Sequence, residues 1–410
     1  MNSKEIFSIA LNLDSPWYIE DVRMSKPDDK GLGQIDIFIN FVRGSKFKDQ
    51  NGAECRIHDT VKRKWQHLDF FQHTCFIHAR VPRIKDHDDK VKTLEVPWAR
   101  SNSGFTLLFE AYSMLLIESE MPVKKAAKIL KIYDNRLWRI FNHWIAMAYN
   151  SIKQDETNRI GIDETSVKKG HNYVTIAVDM GKKNVVYATP GKDAACIEKL
   201  KDKLEEKGCP KENIKQAVID MSPSYISGIE ENFPNAEITF DKFHVNKLIN
   251  GAMDEVRKAE RKQNSELKGH KYLFLKNDNK LHEKEKEFKY YFLSSYPNLG
   301  NAYRLKELFN DFWVIRSKEE ASAYLAYWCD IVEESCIQPF AKVVKTIKSH
   351  WSGIVNYVES KMNNGILEGI NSQIQLAKKR ARGYRNINNF INMIYFIAGK
   401  LKFDYPLYLE

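Results

Sequence analysis

Residues 158–240 constrain the fold more tightly than any other part of the chain. Three runs, RIGIDETSVKKG, NYVTIAVDMG and NVVYATP, read as consecutive strands joined by turns that contain Gly or Lys. DAACIEKLKDKLEEKG follows with the spacing of an amphipathic helix that stops at Gly208. IKQAVID is a buried-strand run. Ser222–Pro223 supplies a cap and a first-turn proline for a second helix, and AEITF is a fifth strand. A meander followed by helix–strand–helix–strand predicts an α/β layer architecture.

Three acids stand out within this segment. Asp163 sits inside the first strand, where Asp is disfavoured. Asp220 closes the fourth strand and Asp241 the fifth. Ligands of open α/β sheets bind at the carboxyl ends of strands. Asp220 and Asp241 also each precede a helix, so an N-cap role accounts for them equally well. A fourth acid, Glu368, begins a polar stripe with Asn371, Gln375, Lys378 and Arg382 at i, i+3, i+7, i+10 and i+14. Ile366, Ile370, Ile374, Ala377 and Ala381 form the apolar stripe of the same helix. An ordinary amphipathic helix with a solvated face has this pattern. The neighbouring run KKRARGYR adds cations along one edge, which suits a metal site flanked by phosphate contacts.

Around this centre the chain divides by composition. Residues 1–105 read as a small β-containing module, with short runs such as DIFINFV and TCFIHARV. In 106–150, TLLFEAYSMLLIESE is helical. A short helix after Pro122 and a second one with Leu137, Ile140, Phe141 and Trp144 on one face make a helix-turn-helix candidate. The segment 244–360 is almost wholly helical and rich in aromatics, and reads as a helical domain with its own core. Lys plus Arg is 64 against 54 Asp plus Glu, so the net charge is 64 − 54 = +10, which favours a polyanionic partner. No apolar run approaches 18 residues and no signal peptide is recognisable. The six cysteines lie far apart, which suits a reducing cytoplasm.

Asp163, Asp220 and Glu368, with a helical block between the last two, resemble the DDE triad of RNase H-like transposases. More broadly the chain resembles the ISL-three family of bacterial insertion-sequence transposases. The segments that carry the resemblance are RKWQHLDFF, HARVPR, VPWARSNSGFTLLFE, MPVKKAAKIL, GIDETSVKKGHNY, VIDMSPSY, FDKFHV and NNGILEGINSQIQLAKKRARGYRN. They follow in order along nearly the whole chain. The resemblance implies an α/β, RNase H-like mixed sheet in two parts, 155–243 and 361–400. The all-helical insertion 244–360 separates them, a small N-terminal module and a helix-turn-helix precede them, and a C-terminal tail, 401–410, follows. It implies that Asp163, Asp220 and Glu368 hold two Mg²⁺ or Mn²⁺ ions for phosphodiester cleavage at element ends and joining to target DNA. Asp241 and His244 become candidates for supporting that site.

The same resemblance implies double-stranded DNA as partner, both terminal inverted repeats and target. It implies an oligomer that pairs two element ends, no membrane, and a bacterial cytoplasmic, nucleoid-associated location. Lys124, Lys125, Lys128 and Arg139 are candidates for phosphate contacts, and Asn135 and Arg136 for base edges. Lys378, Lys379, Arg380, Arg382 and Arg385 form the second basic group. Two short helices are also common in bundles. A regulator that binds without cutting and a nuclease that cuts without joining are the competing functions. Relatives carry paired cysteines in the N-terminal module, and these are missing here. What remains is Cys55-x-x-His58, Cys75-x-x-His78 and His87. The two pairs offer one four-ligand set, but Cys75 and His78 also fit a plain strand, so no zinc is expected.

Overall fold

The computed structural model describes residues 2–405 apart from 26–32, 49–51, 86–89, 169, 171, 277–280 and 363–364. The chain divides into two units, Met1–Trp144 with Lys402–Glu410 and Ile145–Leu401. The first boundary falls inside a continuous helix.

The first unit starts with α1 (Ser3–Ala10), β1 (Trp17–Met24), β2 (Gln34–Phe41), β3 (Phe47–Lys48) and β4 (Glu54–Cys55). It continues through β5 (Ile57–Phe70), β6 (His73–Lys85) and β7 (Val91–Thr93). β1, β2, β6 and β5 are neighbours in that order, β7 pairs with β6, and β3 and β4 form a separate ribbon. Alternation builds the core. Ile35, Ile37 and Ile39 on β2 and Cys75, Ile77 and Ala79 on β6 are buried together beside Trp65 and Trp98. The module is more regular than its sequence suggests, since β5 and β6 run for 14 and 13 residues.

Helices α2 (Leu107–Glu118), α3 (Val123–Ile129) and α4 (Asp134–Ser151) follow. Thr106 caps α2, and Leu137, Ile140, Phe141 and Trp144 of α4 are buried as their spacing predicts. The fully buried Glu110 accepts hydrogen bonds from Arg100 Nε (2.8 Å), Ser103 Oγ (2.6 Å) and Trp144 Nε1 (2.9 Å), which tie the preceding loop to α2 and α4. Tyr405, near the chain's end, joins this unit. Its hydroxyl bonds Glu118 and its ring meets Trp144 edge-on.

The second unit contains β8 (Arg159–Lys168), β9 (Asn172–Asp179), β10 (Asn184–Pro190), α5 (Ala194–Glu206), β11 (Gln216–Ile219), α6 (Pro223–Asn232) and β12 (Glu237–Phe240). The strand order is β10-β9-β8-β11-β12. The first three strands are antiparallel, and β11 is parallel to both β8 and β12. The sheet is therefore mixed and the protein is α/β.

Among the described residues nine further α-helices follow: α7 (Lys242–Gln263), α8 (Lys271–Leu275), α9 (Glu283–Ser295), α10 (Pro297–Asp311), α11 (Lys318–Glu334), α12 (Gln338–Ser349), α13 (Trp351–Ser360), α14 (Gly365–Ala381) and α15 (Ile387–Ala398). The block α7–α13 does not have a core of its own. Its buried residues and those of the sheet form one continuous cluster, from Ile160 and Ile219 through Val245 and Phe309 to Val358. Closure occurs at the sheet edge. Gly353 of α13 sits where any Cβ would overlap the Phe240 ring, and Asn356 Nδ2 donates to the edge carbonyl of Ile238 (2.9 Å). Among the described residues no helix is long and apolar enough to cross a membrane.

Candidate active site and nucleic-acid interface

The parallel register aligns the acids. Val218 of β11 pairs with Gly161 of β8, and Ile219 pairs with Phe240 of β12. The offsets are 218 − 161 = 57 and 240 − 219 = 21, so continuing the ladders sets position 220 level with 163 and position 241 level with 220. By that register Asp163, inside β8, falls level with Asp220 and Asp241, which directly follow β11 and β12. Asp241 holds the N-cap position of α7, whereas Asp220 does not cap α6. Ser222 is the cap residue of α6, and Asp220 Oδ1 instead accepts the Ser222 N–H (3.0 Å). Asp241 precedes α7 but makes no capping bond.

Period-two alternation splits β8 between two layers. Gly161, Asp163 and Thr165 face α14. A Cβ on Gly161 would lie 2.9 Å from Leu367 Cδ1 and 2.6 Å from Met180 Sδ, so only glycine allows this approach. Asn371 Nδ2 donates to Asp163 Oδ2 (2.7 Å), Gln375 Nε2 to Thr165 Oγ1 (2.6 Å), and Lys378 Nζ to Ser166 O (2.6 Å) and Ser166 Oγ (3.1 Å). The polar stripe of α14 therefore faces a strand rather than water from Asn371 to Lys378, about two turns. Lys378 is engaged there and is not a free phosphate contact. Lys379, Arg380, Arg382 and Arg385 are exposed.

Glu368 is exposed in the first turn of α14, three residues (about 4.5 Å of rise) before Asn371. Asp163 and Asp220 are near enough for the Asp220 charge to act on Asp163, but among the described residues no three acidic, His or Cys groups close on one point, so Glu368 does not complete a three-acid cluster with them.

Burial pushes the Asp163 carboxyl above its ordinary range and the Asp220 charge adds to the push. The Glu164 N–H (2.8 Å to Oδ1), His244 and Asn371 act against it. Glu164, on the opposite face of β8, is also raised, first by burial and then by Asp220 and Asp163, while Lys192 and Tyr225 oppose the shift. His244 Nδ1 lies 3.6 Å from Asp241 Oδ2. An open cleft starts at Asp220 and runs between α7 and α12 past His244, Lys247, Gly251, Lys342 and Thr346. Sequence reasoning missed Asn371 and Glu164 as members of this group. The first was visible only as part of a stripe, the second only as the neighbour of Asp163.

The donors suit a hard divalent cation. They are carboxylate oxygens from within β8 and from just past β11, half-buried and with charges only partly offset, and Asn371 Oδ1 beside them is buried without a hydrogen-bond partner among the described residues.

The comparisons with known proteins fit this geometry. A family model described as a transposase, of the DDE type of ISL3, matches residues 160–394, more than half of the chain. The chain belongs to the ISL3 family of transposases. A second model, the helix-turn-helix domain of transposase family ISL3, matches residues 94–145, and a third, the zinc-finger of transposase IS204/IS1001/IS1096/IS1165, matches residues 51–85. The chain is 25% identical over 379 residues to the transposase for insertion sequence element IS1001 of Bordetella parapertussis, covering 90% of this chain and 92% of that protein. It is 24% identical over 423 residues to the transposase for insertion sequence element IS1557 of Mycobacterium tuberculosis, covering 94% and 93%. This transposase is accordingly a DNA-cleaving and DNA-joining enzyme of the DDE class.

In its helix-turn-helix, Lys124, Lys125, Lys128, Asn135 and Arg139 are exposed. Arg136 is not. Its guanidinium lies 4.2 Å over the Phe105 ring, and burial, with Arg139 nearby, lowers its pKa.

In the segment that matches the zinc-finger, the four candidate ligands are not assembled. Asp59 pairs with Arg83, whereas His67 pairs with Cys75. Eight residues of β6 therefore separate Cys75 from the level of His58, about 26 Å along the strand. Cys75 is fully buried, its thiol pushed up to about 12 mainly by that burial, and His78 Nε2 bonds Asp36 Oδ1 (2.6 Å). His87 lies outside the described residues.

Proposed function

We propose that this transposase cuts the terminal inverted repeats of an insertion sequence and joins them to target DNA, with Asp163, Asp220 and Glu368 as ligands of two Mg²⁺ or Mn²⁺ ions. The row of acids at 163, 220 and 241, with Glu368 on the helix held against β8, is the observation that carries this reading. The strand order, three antiparallel strands followed by two parallel ones, supports an RNase H-like catalytic domain in two parts, 155–243 and 361–400, around the helical insertion 244–360.

When bound, the ions would activate a water or a 3′-hydroxyl for in-line attack and stabilise the leaving oxygen. The chain's own groups prepare the site. Asn371 orients Asp163, Gln375 and Lys378 fix α14 along β8, and Glu368 projects from the end of the helix nearest the acids. His244 and Asp241 support the cluster from α7. The cleft carrying Lys247 and Lys342 suits a phosphate backbone leading away from Asp220, and Lys379, Arg380, Arg382 and Arg385 suit the same backbone beyond α14. Exposed Lys124, Lys125, Lys128, Asn135 and Arg139 contact the repeat duplex in the helix-turn-helix region 106–150. Pairing of two element ends favours a homo-oligomer on DNA, in the nucleoid of a bacterial cytoplasm.

Within 1–105 the strand hairpin folds without metal, held by its apolar core and by the Asp36–His78 and Asp59–Arg83 pairs. Elemental analysis of purified protein should find no stoichiometric zinc. Stoichiometric zinc lost together with folded structure on chelation would reverse that statement.

The decisive assay is cleavage of a pre-nicked terminal-repeat duplex with Mg²⁺. Asp163→Asn and Asp220→Asn should abolish cutting and leave duplex binding intact. Undiminished cutting by both variants would refute the assignment. Cut ends that never join target DNA would point to a nuclease instead.

A further inference from the structure

The β5–β6 hairpin turns through Phe71 and Gln72, both in the left-handed region at φ 48° and 67°. Phe70 pairs with His73 across the turn. A two-residue turn of this kind favours Asn-Gly, because a side chain with a bulky Cβ substituent is strained there. Phe71 does not enter the core in return. It is 81% exposed, and Phe70 braces it edge-on at 4.5 Å while itself resting on Phe7 at 5.1 Å. A large apolar ring is thus held out at a strained tip, with no gain to the fold that would explain it. Strain that the surroundings hold in place is characteristic of functional segments.

The tip is fastened to the helix-turn-helix. Lys131, in the turn between α3 and α4, donates to Asp69 Oδ2 (2.6 Å) and to Gln72 O (3.1 Å). Lys131 is itself left-handed, at φ 54°. The bond places a cation against the acid next to the tip, so Asp69 does not present an unopposed charge to a polyanion. Two residues beyond Lys131, Tyr133 is 80% exposed, and Lys128 lies three residues before Lys131.

We propose that the β5–β6 hairpin tip is a second DNA-contacting element of the first unit, in which the Phe71 ring packs against sugar and base edges of the duplex beside the helix-turn-helix site. Apolar side chains that wedge against base steps in the minor groove are an established mode of such contact. The inference rests on the reading of α3–α4 as the duplex-binding element. Continuity with that element through Lys131 favours DNA over a protein partner.

The test is quantitative binding of a terminal-repeat duplex across a range of salt concentrations, with thermal unfolding in parallel. Phe71→Asn combined with Gln72→Gly installs the favoured turn. Its melting temperature should rise while duplex affinity falls about tenfold, the scale of one aromatic contact. The slope of log affinity against log salt should stay unchanged, because no phosphate contact is removed. Phe71→Leu, which keeps an apolar side chain, should retain most of the affinity. Lys124→Ala with Lys128→Ala should instead lower both affinity and slope.

Wild-type affinity in the turn variant, with the lysine variant impaired, would overturn the hairpin proposal alone. Unchanged binding in both variants would remove the helix-turn-helix reading and the proposal with it. Loss of self-association at unchanged DNA affinity would make the tip a protein interface and likewise overturn the proposal.

Discussion

Asn371→Ala removes a side chain that ties α14 directly to Asp163. The lost bond is 2.7 Å long and has a carboxylate acceptor, so it should contribute about 1.5–3 kcal/mol, against about 0.5–1.5 kcal/mol for the neutral Gln375–Thr165 bond. The pH dependence follows from the sign of the shift. Burial already raises the Asp163 pKa and Asn371 is among the groups that lower it, so its removal raises the pKa further. A carboxyl raised in the folded state binds its proton more tightly than the unfolded chain does. The cost of ionising it is therefore greatest at pH 7–8 and shrinks as pH falls through the folded pKa. The stability deficit of Asn371→Ala should narrow on acidification, whereas that of Gln375→Ala should not. Activity should fall further than stability. Glu368 lies three residues before the deleted contact, and a displacement of about 1 Å at a reacting centre costs on the order of 100-fold in rate. Unfolding followed from pH 8 down through the carboxylate range, and cleavage of a nicked terminal-repeat duplex over a Mg²⁺ titration, measure the two effects. Wild-type cleavage by the variant, or a deficit equal at both ends of the pH range, would refute the reasoning.

Three further outcomes are expected. His67, whose Nδ1 lies 2.8 Å from Thr106 Oγ1, has its pKa lowered to about 4 by burial. The unfolded chain takes up a proton that the fold refuses, so stability is complete above about pH 6.5 and falls by about 2–3 kcal/mol by pH 4.5. His67→Gln should flatten that part of the unfolding-versus-pH curve. Gly161→Ala forces Leu367 or Met180 aside and should cost about 1–3 kcal/mol, with a larger proportional loss of cleavage than of thermal stability. Gly353→Ala, which overlaps the Phe240 ring, should lower the melting temperature by a comparable free energy and leave repeat-duplex affinity, measured below that temperature, unchanged.

Much of this transposase was legible from local pattern. The five strand runs of 158–240, the Ser222–Pro223 helix start, the α4 face of Leu137, Ile140, Phe141 and Trp144, and the two stripes of α14 follow from period two, period 3.6 and cap chemistry. Each of these is set by residues within one or two turns of one another. The regularity of the N-terminal sheet was less legible, because its long strands β5 and β6 are mostly polar on one face and their runs carry few continuous apolar residues.

Sequence by itself determined which residues are acids at strand ends and which face of α14 is polar. It did not determine what that face meets. Asn371 and Asp163 are 208 residues apart, and only the approach of α14 to Gly161 converts a stripe that reads as solvated into a row of hydrogen bonds. The same holds for Lys378 and Arg136, whose charges look free along the chain and are spent on Ser166 and Phe105 in the fold. It holds also for the two Cys-x-x-His pairs, which the antiparallel hairpin carries to different levels of one strand. Periodicity reports the polarity of a surface. The partner of that surface is selected by long-range packing, where the loss of hydration on each side must be matched by a specific group from elsewhere in the chain.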